Sequence, residues 1–367
     1  MDFVPINYYN SIYHYIILIF VFAIYINSLN NKIEATTSKK TVSVIGLALV
    51  IFVFFYLALR PVSLQFGDMW TYSRHFYALQ AGQSPDYDKD PLFEAMMLFF
   101  STFTTAEVFF FFCAVLYVIP LYIISKKLFQ DYWVYSFLIL ASAFTFWAYG
   151  SNGIRNGLAT SLFLLAICSK NKVIKFALFV AIVFFHRSLA LPVIAYVISM
   201  FYKNTKTYMY VWLLAIPISF ILGSSLENFF LKLGFGGDVS LNTYLGDFDQ
   251  ESEGEAIIVG FRWDFILYSA SAVYAAWYFI IKKKFNDRFY VQLVNIYLMC
   301  NTLWILVIRA NYSNRFAYLS WFMIGLVTLY PLLKIKFFNN QHAVIGRIIL
   351  AYFALTFLLN IILVKAT

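Results

Sequence analysis

The chain has 367 residues, 62% hydrophobic and 12% charged, with a net charge of +9 and a mean hydropathy of +0.75. A soluble globular domain carries about 25% charged residues, so this chain cannot cover itself in water and a soluble fold is excluded. In a membrane chain the basic surplus reads as loop bias toward the cytoplasm, with lipids and no nucleic acid as surroundings.

Apolar windows of about 17–20 residues recur along the length, each long enough for a bilayer core of about 30 Å. The expected fold is an all-α polytopic membrane protein, a single integral membrane domain over residues 1–367. About 12 transmembrane helices are expected, near 8–28, 41–60, 106–125, 133–149, 156–169, 173–186, 189–202, 207–223, 262–281, 289–308, 316–333 and 348–364. The first lacks a basic leader and a small-residue cleavage site, so it is read as a retained span. After the second comes an external segment, 61–105, whose part "PLFEAMMLFFSTFTT" is too short to cross and reads as an amphipathic interfacial helix. The sequence "FALFVAIVFFHRSLALPVIAYVISMF" is an apolar run broken in its middle by His186 and Arg187. Lysines flank both ends of this pair of short segments, which makes it a shallow hairpin with its tip below the outer surface. A second external loop, 224–261, carries the acidic stretch "DFDQESEGE". Cys113, Cys168 and Cys300 lie inside apolar segments and suggest neither a disulfide framework nor a metal cluster. Neither a repeat nor a Gly-rich phosphate loop occurs.

Fifteen of the 18 lysines fall on one set of connections, which the positive-inside rule makes cytoplasmic. Arginine does not follow. Arg60, Arg74, Arg155, Arg187, Arg262, Arg309 and Arg315 are external or at external helix ends, whereas Arg288 and Arg347 are cytoplasmic. Arginine differs from lysine in its planar fork of donors, which grips phosphate or carboxylate bidentately. Arg74 and Arg262 sit in or beside acidic loops and read equally well as partners of those acids. Arg60, Arg155, Arg187, Arg309 and Arg315 form the candidate anion-binding set, and Arg155 also stands where a helix begins, so backbone N–H groups point at the same volume.

Arginines in a cavity at the outer face suit a diphosphate attached to a lipid. Two bases stand near it. His186, at the hairpin tip, is a candidate to take a proton; alternatively Asp68 takes it, or only holds an arginine. His14 lies within the first span and His342 in a cytoplasmic loop, and neither is expected to act. His75 is external and unassigned. Tyr72, one helical turn from Asp68, and Asn152 and Asn156, flanking Arg155, are expected to position substrate. No spacing suggests a metal site.

In this order and sidedness, "LRP…GDMWTY", "GIRNGLA", "FFHRSLAL" and "NRFAYLS" resemble the EpsG branch of Wzy-type polysaccharide polymerases, which make O-antigen or exopolysaccharide. The resemblance runs from about residue 50 to 320. The family's usual spacing is G-x-D-x-x-x-Y; here Gly67 directly precedes Asp68, and D-x-x-x-Y is intact. The resemblance implies a C-type glycosyltransferase (GT-C) of the bacterial inner membrane, its site facing the periplasm or exterior. The donor would be a glycan on undecaprenyl diphosphate and the acceptor the next lipid-linked repeat unit. Transfer would be inverting, without metal or cofactor, the lipid diphosphate leaving against arginines. A chain-length regulator and a flippase are the partners it implies. Two other readings remain: an O-antigen ligase of similar fold, and, from a different class, a lipid-linked oligosaccharide flippase or anion transporter. A transporter calls for ionisable residues near mid-membrane and often repeat symmetry, whereas here the charges gather toward one face.

Overall fold

The computed structural model describes residues 4–232, 261–309 and 313–363. Among them every regular element is helical, and no strand occurs. The helices α1 (Tyr9–Asn30), α2 (Thr36–Ala58), α3 (Asp68–Gln80), α4 (Pro91–Ser101), α5 (Ala106–Phe129), α6 (Trp133–Ala141), α7 (Phe144–Ser151), α8 (Ile154–Cys168) and α9 (Lys172–Phe185) come first. They are followed by α10 (Ala190–Phe201), α11 (Thr205–Lys232), α12 (Trp263–Ala276), α13 (Arg288–Leu306), α14 (Asn314–Trp321), α15 (Ile324–Lys334) and α16 (Gln341–Phe357).

Eight helical stretches among the described residues are long and apolar enough to cross a bilayer, and they fall on eight of the expected positions. This is a membrane protein. The other four expected positions hold shorter pieces. The 133–149 region is divided into α6 and α7 at Ser142–Ala143, and α8, α9 and α10 have 15, 14 and 12 residues. At 1.5 Å per residue such helices reach about 18–22 Å, short of a hydrocarbon core of about 30 Å.

The chain divides into two compact units, Met1–His186 with Leu329–Thr367, and Arg187–Thr328. In the first, α5 packs against α2 and α8, α8 against α9, and α1 against α2 and α16. With few charges to spare, tyrosine hydroxyls satisfy backbone carbonyls across helices. Tyr9 Oη donates to the Tyr56 carbonyl and Tyr56 Oη to the Tyr9 carbonyl, both at 2.8 Å, which staples α1 to α2. Tyr13 reaches the Ala141 carbonyl (2.9 Å) and Tyr117 that of Phe146 (3.0 Å). A polar group with no partner in such an interior costs several kcal/mol, so these bonds fix register as well as add stability.

The lysines mark one set of helix ends in this unit: the starts of α2 and α9 (Lys39, Lys172) and the end of α5 (Lys126, Lys127). His342, expected in a loop, is instead buried in the first turn of α16 at these ends. Its Nδ1–H donates to the Asn31 carbonyl (2.7 Å), so Nε2 accepts from Tyr135 Oη (2.6 Å). His14 is buried on α1, with Nδ1 2.9 Å from the Asn10 carbonyl.

In the second unit α13 is the central element, in contact with α10, α11, α12 and α14. Asn301 organises it. Its amide donates to Ser269 Oγ (3.1 Å) and Ser320 Oγ (2.9 Å) and its oxygen accepts from Trp212 Nε1 (2.7 Å). Trp321 Nε1 also donates to Ser269 (2.8 Å). The three cysteines are buried and free.

Candidate functional site

The helix ends opposite the lysines in the first unit carry the candidate residues. Arg60 follows the end of α2, Arg155 opens α8 and His186 closes α9. Helix α9 stops because His186 is extended (φ −161°, ψ 113°), and a short 3-10 turn, Arg187–Leu189, follows. Between α3 and α5, helix α4 starts at Pro91 with Asp90 at its cap, and packs on α3 and α9.

Asp90 is the hub. One carboxylate oxygen, Oδ2, accepts from Arg155 Nη1 at 2.6 Å and from His186 Nδ1 at 3.0 Å. The Asp90 side chain is 4% exposed, against 17% for Arg155 and 10% for His186. An aspartate at a helix start ordinarily caps backbone N–H groups. Asp90 makes no such side-chain bond; its carboxylate is diverted to the two basic groups. A carboxylate only accepts, so the imidazole carries its proton on Nδ1 and presents Nε2 as its basic nitrogen. Arg155 in turn lies over the ring of Tyr72, 5.3 Å from its centroid.

Asp68 and Asn152 extend this chain of contacts. Tyr72 Oη donates to Asp68 Oδ2 over a long 3.4 Å, and the Asp68 N–H donates to Asn152 Oδ1 at 2.8 Å. The geometry explains the glycine before the aspartate. Gly67 has φ +54°, and a Cβ there would lie 2.5 Å from Asn152 Oδ1. Only glycine fits both the left-handed backbone and the contact. Asn156 is half-buried on α8, one residue past Arg155.

Arg60 is differently placed. It is 6% exposed, donates from Nη1 to the Leu57 carbonyl (2.9 Å) and from Nε to Met69 Sδ (3.2 Å), and braces the start of α3 from the inside. Arg187, Arg309 and Arg315 belong to the second unit. Arg187 and Arg315 are exposed. Arg309, three residues past the end of α13, lies 5.5 and 5.7 Å from the ring centroids of Phe220 and Phe261 and donates to the Phe220 carbonyl at 3.3 Å. The turn from Arg309 to Arg315 passes through 310–312, outside the described residues, as is 233–260 of the expected 224–261 loop. Arg262 pairs with Asp264 through two bonds of 2.9 and 2.7 Å, the local partnership expected for an arginine beside an acidic loop.

The structure therefore brings Arg155, His186, Tyr72, Asp68 and Asn152 into one connected array, and it adds Asp90, which sequence reasoning missed. The available signal was a buried-type pairing partner: two basic groups at helix ends need a carboxylate, and "DYDKDPLFE" supplies candidates. Among the described residues no group of three or more His, Cys, Asp or Glu side chains is placed to hold a metal ion.

An apolar groove of about 470 Å³ runs between α4 and α9. Leu92 and Ala95 of α4 and Ala177, Val180 and Ala181 of α9 line it. Pro91, which follows Asp90, and Phe184, two residues before His186, also line it, so the groove begins at the helix ends that carry the charged array.

Neither the curated proteins nor the solved structures contain a match to this chain. The EpsG family model matches residues 43–366, nearly the whole length and all of the array. The chain belongs to the EpsG family, a family of Wzy-type, exopolysaccharide polymerase-like proteins.

Proposed function

We propose that this protein is a glycosyltransferase that joins lipid-diphosphate-linked glycan units at the outer face of the bacterial inner membrane. The observation that carries the reading is the shared Asp90 oxygen, which sets a guanidinium and an oriented imidazole side by side. The substrate is an amphiphile of the undecaprenyl diphosphate type. Its diphosphate sits against Arg155, and its hydrocarbon follows the groove between α4 and α9. Arg187, Arg309 and Arg315 are the further cations the reading assigns to the diphosphate, with Tyr72, Asn152 and Asn156 positioning substrate.

In the reaction, His186 Nε2 removes the proton from a sugar hydroxyl of the acceptor. That oxygen forms a bond to the anomeric carbon of the donor from the face opposite the lipid. The bond from that carbon to the diphosphate oxygen breaks, and its electron pair leaves on the diphosphate. Arg155 neutralises that charge where it develops, so its interaction strengthens toward the transition state. Asp90 holds the imidazole in register and stabilises the imidazolium that forms. Asp68, tied to Tyr72, keeps the ring beneath Arg155 in place.

Purified protein given lipid-linked repeat units is expected to produce a glycan ladder. His186→Ala is expected to abolish the ladder while donor binding persists. Unchanged turnover in that variant would remove His186 as the base. Substrate consumption only after addition of a lipid A core acceptor would make the protein a ligase. Movement of lipid-linked substrate across liposomes without a new glycosidic bond would make it a flippase.

A further inference from the structure

The proposed mechanism leaves His75 and Glu94 unused, and they form a second imidazole–carboxylate pair one helical turn along α4. Glu94 follows Asp90 by four residues, and its N–H bonds the Asp90 carbonyl at 3.1 Å, so the two acids stand one above the other. Glu94 Oε1 accepts from His75 Nε2 at 2.7 Å and from the Asp86 N–H at 3.1 Å. The carboxylate is 9% exposed, whereas the imidazole is 27% exposed. With its proton on Nε2, His75 presents Nδ1 as an acceptor. Helix α3 sets His75 three residues after Tyr72, on the same face as the ring that lies under Arg155.

An ionised acid so enclosed costs several kcal/mol in desolvation, which an apolar residue would avoid. Fastening the segment before Asp90 requires only an acceptor for the Asp86 N–H, and an amide oxygen serves for that. Orienting an imidazole and keeping it a good acceptor is what the carboxylate adds. Transfer between two glycans also makes a demand that Arg155 and His186 do not meet. They account for the diphosphate and the reacting hydroxyl, and beyond the positioning residues Tyr72, Asn152 and Asn156 the acceptor sugar calls for a hydrogen-bond acceptor of its own.

We infer that His75, oriented by Glu94, is the acceptor-sugar subsite of this protein, taking a hydrogen bond at Nδ1 from a non-reacting hydroxyl of the incoming glycan. The inference rests on the glycosyl-transfer reading. It makes His75 a substrate-contacting residue and Glu94 a positioning residue.

The test uses the full chain in nanodiscs and lipid-linked units extracted from cells that lack it. Two rates are followed at fixed donor: ladder growth against acceptor concentration, and slow release of donor diphosphate to water. His75→Gln is the decisive variant, because its amide N–H replaces the bond to Glu94 but offers no acceptor at the Nδ1 position. It is expected to raise the acceptor concentration for half-maximal growth about tenfold, the effect of one lost hydrogen bond to substrate. Donor hydrolysis is expected to stay within about twofold of wild type, since the loss is confined to acceptor binding. Glu94→Gln is expected to show a smaller shift in the same parameter. A His75→Gln variant with wild-type growth at every acceptor concentration overturns the inference and leaves glycosyl transfer standing. Absence of both ladder and hydrolysis in the wild type overturns the parent reading, and the inference with it.

Discussion

The two units each bury a polar cluster, and the clusters differ in kind. Around Asn301 every group is neutral, and each of the amide's atoms meets a partner on another helix. Around Asp90 a carboxylate and a guanidinium meet an imidazole, three helices contribute them, and the imidazole and guanidinium remain partly exposed. A closed neutral network holds helices together at modest cost, because side-chain hydrogen bonds in a membrane average about 0.6 kcal/mol. A buried ionised network is a poor way to gain stability, since apolar residues often do as well or better. The contrast teaches that polar burial alone does not mark a site. Charge, residual exposure and an unspent nitrogen do.

Breaking the charged cluster at its hub gives the largest expected effect. Asp90→Asn keeps the shape but removes the anion that orients His186. Glycan formation is expected to fall by about 10³-fold or more, as when the acid behind a catalytic histidine is neutralised, while membrane insertion is retained. A variant with normal polymer length on a gel of cell-surface glycan would break the comparison. Arg155→Lys comes next. A lysine supplies charge without the fork, and about a 100-fold loss of turnover is expected with the protein still inserted. Full activity would mean that a point charge suffices and would remove the bidentate role. The smallest effect on chemistry is expected from the neutral cluster. Asn301→Ala strands the Trp212 N–H and should lower stability in detergent by about 2 kcal/mol, read as a lower unfolding midpoint. Turnover at low temperature should be unchanged. Lost turnover at full stability would place Asn301 in the chemistry.

Helix positions and their lysine-marked ends were legible because bilayer thickness and the positive-inside rule act on composition. So were Arg155 and His186, since a charge interrupting an apolar run has few structural explanations. Asp90 was not. It stands among Asp86, Asp88 and Glu94 in one polar segment, and nothing in its spacing says which acid turns inward. Its cap position suggests an ordinary helix start, and only the packing of α4 on α9 diverts it. Arg60 was legible only in position: the sequence places it at the exit of a span but does not say that its fork bends back to the Leu57 carbonyl. The shortness of α9 and α10 was visible around His186, whereas the break between α6 and α7 lies in an apolar run with no Pro or Gly to announce it.

The reach of Asp90 also sets an order for biogenesis. Its partner Arg155 lies 65 residues downstream and His186 lies 96. When α4 leaves the ribosome, its carboxylate has neither, and an unpaired acid is costly in hydrocarbon. The nascent α4 is therefore expected to stay exposed to water until α8 and α9 have been made, and to settle once their basic ends arrive. Truncation after residue 160 should leave α4 open to a water-soluble label, and extension past 186 should close it.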